Sequence, residues 1–132
     1  MPRRLLIVED DPDNALVFKL VFEHAGYVVL HAPDLATARA LLDRGPPDLA
    51  VLDLILPDGD ALDFCIELRA RVPPIRVIVV SAWDEERLRE AAIEHCADLF
   101  VTKPFDPDRL EREADRLCRG AGAARGGKPA AA

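Results

Sequence analysis

The chain has 132 residues, of which 50% are in the hydrophobic class, 31% are charged and 5% are aromatic. One domain with a real core is expected at that length, and the composition excludes collagen-like, disulfide-scaffold and wholly disordered chains. The formal net charge is −7, and Arg125 and Lys128 are the only charged residues after Gly120, so the part before it is acidic enough to repel nucleic-acid phosphates.

No stretch approaches the roughly 20 apolar residues that span a bilayer, and no signal-peptide pattern opens the chain. A cytoplasmic protein is expected, with no membrane association and no direct nucleic-acid binding. The three cysteines, Cys65, Cys96 and Cys118, are scattered without C-x-x-C spacing. They are read as small buried or half-buried apolar side chains, with neither a zinc site nor a disulfide framework.

Short apolar runs alternate with amphipathic stretches. The first run, Leu5-Leu6-Ile7-Val8, is followed over 13–25 by Leu16, Val17, Leu20, Val21 and His24 at helical spacing, closing at Gly26. Tyr27-Val28-Val29-Leu30 is the second run, and an Ala-rich helix over 35–42 follows it with Asp34 as N-cap. Leu49-Ala50-Val51-Leu52 precedes a helix over 60–71 that Pro73 and Pro74 stop. Val77-Ile78-Val79-Val80 precedes a helix over 84–96, and Leu99-Phe100-Val101 precedes one over 106–119. The runs are continuous rather than alternating, as in strands covered on both faces. Five strand–helix repeats with right-handed crossovers predict an α/β domain over 1–120: a parallel sheet with helices on both faces. Residues 121–132, rich in Gly and Ala, read as a flexible tail or truncated linker.

Such sheets bind ligands at the carboxyl edge of the strands. There the first strand ends in Glu9-Asp10-Asp11, the third in Asp53, the fourth in Ser81-Ala82 and the fifth in Thr102-Lys103-Pro104. Carboxylates gathered at about 4 Å repel by on the order of 4 kcal/mol per pair at an effective dielectric near 20, so a positive charge must join them. An oxygen-only donor set selects a hard dication, Mg²⁺ best. A phosphoryl group would sit between that cation and Lys103, hydrogen-bonded by Ser81. Asp53, central in the sheet, is then the nucleophile that forms an acyl phosphate. The histidines follow no metal spacing, and no phosphate-cradling glycine loop is present.

These residues resemble the receiver domain of bacterial two-component response regulators across residues 4–119. The resemblance implies a flavodoxin-like sheet in the order 2-1-3-4-5 with five helices. It implies Asp53 as phospho-acceptor with the Pro57-Asp58-Gly59 turn downstream. Asp10, Asp11, Asp53 and the main-chain carbonyl of Ile55 are implied as ligands of Mg²⁺ (or Mn²⁺). It further implies Ser81 and Phe100 as switch residues, Lys103 as the catalytic ammonium and a cis bond before Pro104. A sensor histidine kinase or phosphotransfer protein would be the donor. The fourth helix, fifth strand and fifth helix would form the responding surface, which is also a candidate homodimer face.

Ile55 and Trp83 depart from common family choices; being bulky and apolar, they are expected to gate water access to the acyl phosphate. The chain would catalyse only its own phosphorylation and dephosphorylation and is not read as a turnover enzyme. Three other readings fit the residues less well. A haloacid-dehalogenase-like aspartyl phosphatase or phosphotransferase needs a second Asp where Ile55 stands. A flavin binder needs a hydroxyl-rich first loop. A non-phosphorylated docking module has no use for the intact acceptor set.

Overall fold

A computed structural model describes residues 2–56, 59–82, 86–119 and 130–131. Five parallel strands, β1 (Arg4–Val8), β2 (Val28–Ala32), β3 (Leu49–Asp53), β4 (Arg76–Ala82) and β5 (Leu99–Lys103), lie in the order 2-1-3-4-5. The helices between and after them are α1 (Pro12–His24), α2 (Leu35–Arg44), α3 (Ala61–Ala70), α4 (Glu86–His95) and α5 (Pro107–Arg119). This is the sheet order and helix count expected. A two-residue strand, β6 (Ala130–Ala131), pairs in parallel with β5 at Leu99 and Phe100, within the segment read as a tail.

Side chains alternate across the sheet, as the pleat requires. Leu5, Ile7, Leu49, Val51, Ile78, Val80 and Leu99 point to one face, where α1 and α5 bury Phe18, Phe22, Leu110, Ala114 and Cys118. Leu6, Val8, Ala50, Leu52, Val77, Val79 and Phe100 point to the other, covered by α2, α3 and α4 through Leu35, Ala38, Leu42, Phe64, Leu68 and Ala92. Each fully buried Phe or Leu contributes about 1.5–3 kcal/mol of transfer free energy, so the two layers supply most of the drive to fold.

Three local expectations need correction. The inward face of α1 is Ala15, Phe18 and Phe22, while Leu16 and Leu20 are 54% and 58% exposed. Helix α1 is apolar on most sides, and its two aromatics, which bury the larger area, settle the phase. Strand β2 is not covered on both faces: it is the sheet edge, Val28 is exposed and only Ala32 is fully buried. It also starts one residue late, because Tyr27 closes the end of α1. The Tyr27 N–H donates to the Phe22 carbonyl, which Gly26 permits by adopting φ 97°. Finally, Cys65 and Cys96 are not separate apolar side chains but a disulfide, with Cα atoms 5.7 Å apart. Cys118 is free and buried as expected.

The ends of the elements carry their expected signals. Asp34 caps α2 through the Thr37 N–H at 2.7 Å, and Asp60 caps α3 through Leu62 and Asp63. Among the described residues no helix is long and apolar enough to cross a membrane.

Candidate functional site

Strand register sets the site. Val8 on β1 lies beside Leu52 on β3, so Glu9 follows level with Asp53. Asp53 pairs with Val80, and Ser81 and Ala82 pair with Thr102 and Lys103. By alternation Glu9, Asp53 and Lys103 continue the α1/α5 face, whereas Ser81 and Phe100 continue the α3/α4 face.

The carboxylates that converge are Glu9, Asp10 and Asp53, each offering an oxygen within 4.8 Å of the others. Glu9 and Asp53 are buried, at 1% and 7% exposure, and Asp10 is exposed on the rim. Asp11 is not in this group. Its Oδ1 accepts the Asp13 N–H at 2.9 Å as the N-cap of α1, with Pro12 as the first helical residue. Glu9, named at the end of the first strand but outside the expected ligand set, stands in the cluster where Asp11 was expected. The signal was available, since two four-residue apolar runs of equal length, Leu5–Val8 and Leu49–Leu52, each end in an acid.

Lys103 ties the cluster together. Its Nζ donates to Asp53 Oδ2 at 2.8 Å and to Glu9 Oε1 at 3.1 Å. The Ile55 N–H donates to the other Asp53 oxygen, Oδ1, at 2.9 Å. Burial, and then the neighbouring Asp53 charge, push the Glu9 carboxyl up to about 7, against the pull of Lys103. For Lys103, burial works against the ammonium, but hydrogen bonds and attraction to Asp53 and then Glu9 outweigh it and raise its pKa above the usual lysine value.

Ser81 is wholly buried, and among the described residues its Oγ has no hydrogen-bond partner. An unpaired buried hydroxyl costs about 1–3 kcal/mol, so this one is held in place by its surroundings rather than by its own bonding. Phe100 is 1% exposed in the same layer, and the Arg89 guanidinium of α4 lies 5.5 Å from its ring centroid. The Lys103–Pro104 bond is cis, as expected, and Phe105 beyond it stacks on Phe18 with centroids 4.7 Å apart. Ile55 is 51% exposed beside Asp53. Trp83, and Pro57 and Asp58 of the expected turn, lie outside the described residues.

Comparison with known proteins points the same way as the geometry. The family model described as "Response regulator receiver domain" matches residues 5–115. The chain is similar to the alkaline phosphatase synthesis transcriptional regulatory protein PhoP of Bacillus subtilis, 30% identical over 119 residues, covering 90% of this chain and 50% of the relative. The phosphate regulon transcriptional regulatory protein PhoB of Klebsiella pneumoniae is 36% identical over 112 residues, covering 83% of this chain and 49% of that protein. The chain thus spans about half the length of these curated relatives. Among solved structures, a CheY-like response regulator receiver domain protein from Methanospirillum hungatei superposes with a TM-score of 0.86 at 23% identity, covering 92% of this chain and 98% of that one, a likeness of fold.

Proposed function

Since this chain belongs to the response regulator receiver domain family, we propose that it takes a phosphoryl group onto Asp53 from a sensor histidine kinase or phosphotransfer protein. In this reading it answers by repacking the surface formed by α4, β5 and α5. The observation that carries the reading is the buried Ser81 hydroxyl, without a hydrogen-bond partner among the described residues, at the strand edge where Glu9, Asp53 and Lys103 meet.

The donor set suits a hard dication: three carboxylates supply oxygen alone, so Glu9, Asp10 and Asp53 would hold Mg²⁺ (or Mn²⁺), with the Ile55 carbonyl as a further oxygen. Bound there, the cation would offset the negative charge of an incoming phosphoryl group. The chain's own groups do the rest. The Ile55 N–H fixes the rotation of the Asp53 carboxylate and leaves Oδ2, on the Lys103 side, to attack phosphorus. The new O–P bond forms as the P–N bond of the donor phosphohistidine breaks, and the imidazole leaves with the electron pair and takes a proton. Lys103 transfers its hydrogen bond from Oδ2 to a phosphoryl oxygen, and Ser81 donates to another.

Hydrolysis runs through the same groups, with water attacking phosphorus and Asp53 leaving. The chain therefore acts on itself and turns over no separate substrate. Ile55 and Trp83 would shield the acyl phosphate from that water. Ile55 also occupies the place where a haloacid-dehalogenase-like phosphatase needs its acid.

Phe100 is already buried, so the proposed switch repacks the layer it shares with Ser81 rather than bringing an exposed ring inward. The responding face would meet an output partner or a second copy of the chain in the cytoplasm, and it binds no nucleic acid directly. Incubation with acetyl phosphate and Mg²⁺ should add about 80 Da to the intact mass, and Asp53→Asn should abolish the adduct. An adduct that persists in Asp53→Asn overturns the assignment.

A further inference from the structure

Resting on the receiver reading above, we propose that Cys65 and Cys96 form a redox-modification site that gates the phosphorylation response. Oxidation to the disulfide staples the end of α4 to α3 and opposes repacking of the α4 face; reduction releases it.

The pair joins positions 31 residues apart, with Cα atoms 5.7 Å apart, a separation a disulfide bridges without moving the backbone. Cys65 lies on the inward face of α3 with Ala61, Phe64 and Leu68. Cys96 directly follows α4 and closes its last turn. Its N–H donates to the Ala92 carbonyl at 2.9 Å, and the Ala97 N–H donates to the same oxygen at 2.7 Å. A bond on its sulfur therefore holds the helix itself. Just before β5 the Asp98 N–H donates to the Val77 carbonyl, and within β5 Phe100 lies in the same buried layer as both cysteines.

The non-covalent hold on α4 is thin, and this gives the staple its leverage. Among the described residues α4 buries only Ala92 in full, with Leu88 and Ile93 half-buried against the core, whereas α3 buries Ala61, Phe64, Cys65 and Leu68. An alanine contributes little burial energy, so the covalent link adds substantially to the hold that Ala92, Leu88, Ile93 and the Arg89–Phe100 contact give α4. Disulfides in reducing compartments are in most cases transient and redox-sensing, which suits a pair at the edge of a moving element.

The chemistry balances with a peroxide as oxidant. One thiolate attacks a peroxide oxygen, giving a sulfenic acid and one water. The second thiolate attacks that sulfur and expels a second water, so two thiols lose two electrons to the peroxide. A dithiol reverses it by exchange through a mixed disulfide. Both residues are fully buried, so either direction requires the end of α4 to open. By reciprocity, a ligand that favours the repacked face should shift the thiol–disulfide equilibrium toward the reduced pair.

The test uses the full chain, oxidised with hydrogen peroxide or reduced with dithiothreitol. Iodoacetamide labelling of the denatured protein should mark one cysteine after oxidation and all three after reduction. Calorimetric titration with beryllofluoride and Mg²⁺ should show the reduced chain binding at least about fivefold more tightly than the oxidised chain. The Cys65→Ser/Cys96→Ser variant should bind like the reduced chain under both treatments, while Cys118→Ser should keep the difference. Three labels after oxidation, or a redox difference that survives the double variant, overturns the proposal. So do equal affinities in the two wild-type states, which need no variant to fold and leave the receiver reading standing. Absence of beryllofluoride binding in both states overturns the receiver reading, and the coupling falls with it.

Discussion

Replacing Glu9 with Gln should stabilise the metal-free protein above neutral pH and leave it nearly unchanged in mild acid. The ordinary glutamate value is 4.5, and burial followed by the Asp53 charge brings Glu9 to about 7. Between those values the folded protein keeps a proton that the unfolded chain has released. Stability therefore falls as pH rises through that window and is level above it. At ~1.4 kcal/mol per pH unit the full span is about 3 kcal/mol. Glutamine keeps an acceptor for Lys103 Nζ, now 3.1 Å from Oε1, but cannot ionise, so it removes the slope. Lys103 adds none, because its value is raised above 10.5 and the ammonium stays charged throughout. Urea unfolding in EDTA at about pH 5 and about pH 8 measures the effect, with a gain of about 1–3 kcal/mol expected only at the higher pH. Equal effects at the two pH values, or a loss at the higher one, would refute the argument that Glu9 is charged at a cost.

Ser81→Ala removes a buried hydroxyl that has no partner among the described residues, so stability should hold or rise by up to about 1 kcal/mol while beryllofluoride affinity falls; chemical denaturation and calorimetry read the two separately. Lys103→Ala strands Glu9 and Asp53 together and should cost about 1–3 kcal/mol near pH 8, a loss that added Mg²⁺ or mild acid partly restores in thermal melts. Ile55→Asn and Trp83→Ala should each shorten the lifetime of the Asp53 phosphoryl group, read as loss of the mass adduct over time after the phosphodonor is removed. Unchanged decay in both removes water gating from the account.

Much of this was legible because strand and helix periods are local. The apolar runs located all five strands, β1 and β3 to within one residue at each end, and the charged and hydroxylic residues that follow them fell on one edge because parallel strands share a direction. What was not legible depends on phase and partner. Helix α1 carries Leu16, Val17, Leu20 and Val21 as well as Phe18 and Phe22, so periodicity alone offers two inward faces, and only packing against β1 and α5 selects the aromatic one. Asp10 and Asp11 look alike in the sequence, yet Pro12 makes its neighbour Asp11 a helix cap and withdraws it from the cluster. The Cys65–Cys96 pair needs two helices to be known as neighbours on one face, which spacing along the chain does not state.

The pleat of the sheet explains why so few residues serve both chemistry and response. Glu9, Asp53 and Lys103 share the parity of the α1/α5 face, and Ser81 and Phe100 the parity of the α3/α4 face. One residue step along β4 separates Val80, which pairs with the proposed acceptor Asp53, from Ser81, whose side faces the layer of α3 and α4. A phosphoryl group at the strand edge can reach donors from both layers at once, Lys103 from one and Ser81 from the other. Charge neutralisation and surface repacking are then separable. Loss of Lys103 should abolish uptake itself, whereas loss of Ser81 should leave the adduct on Asp53 and break its link to α4.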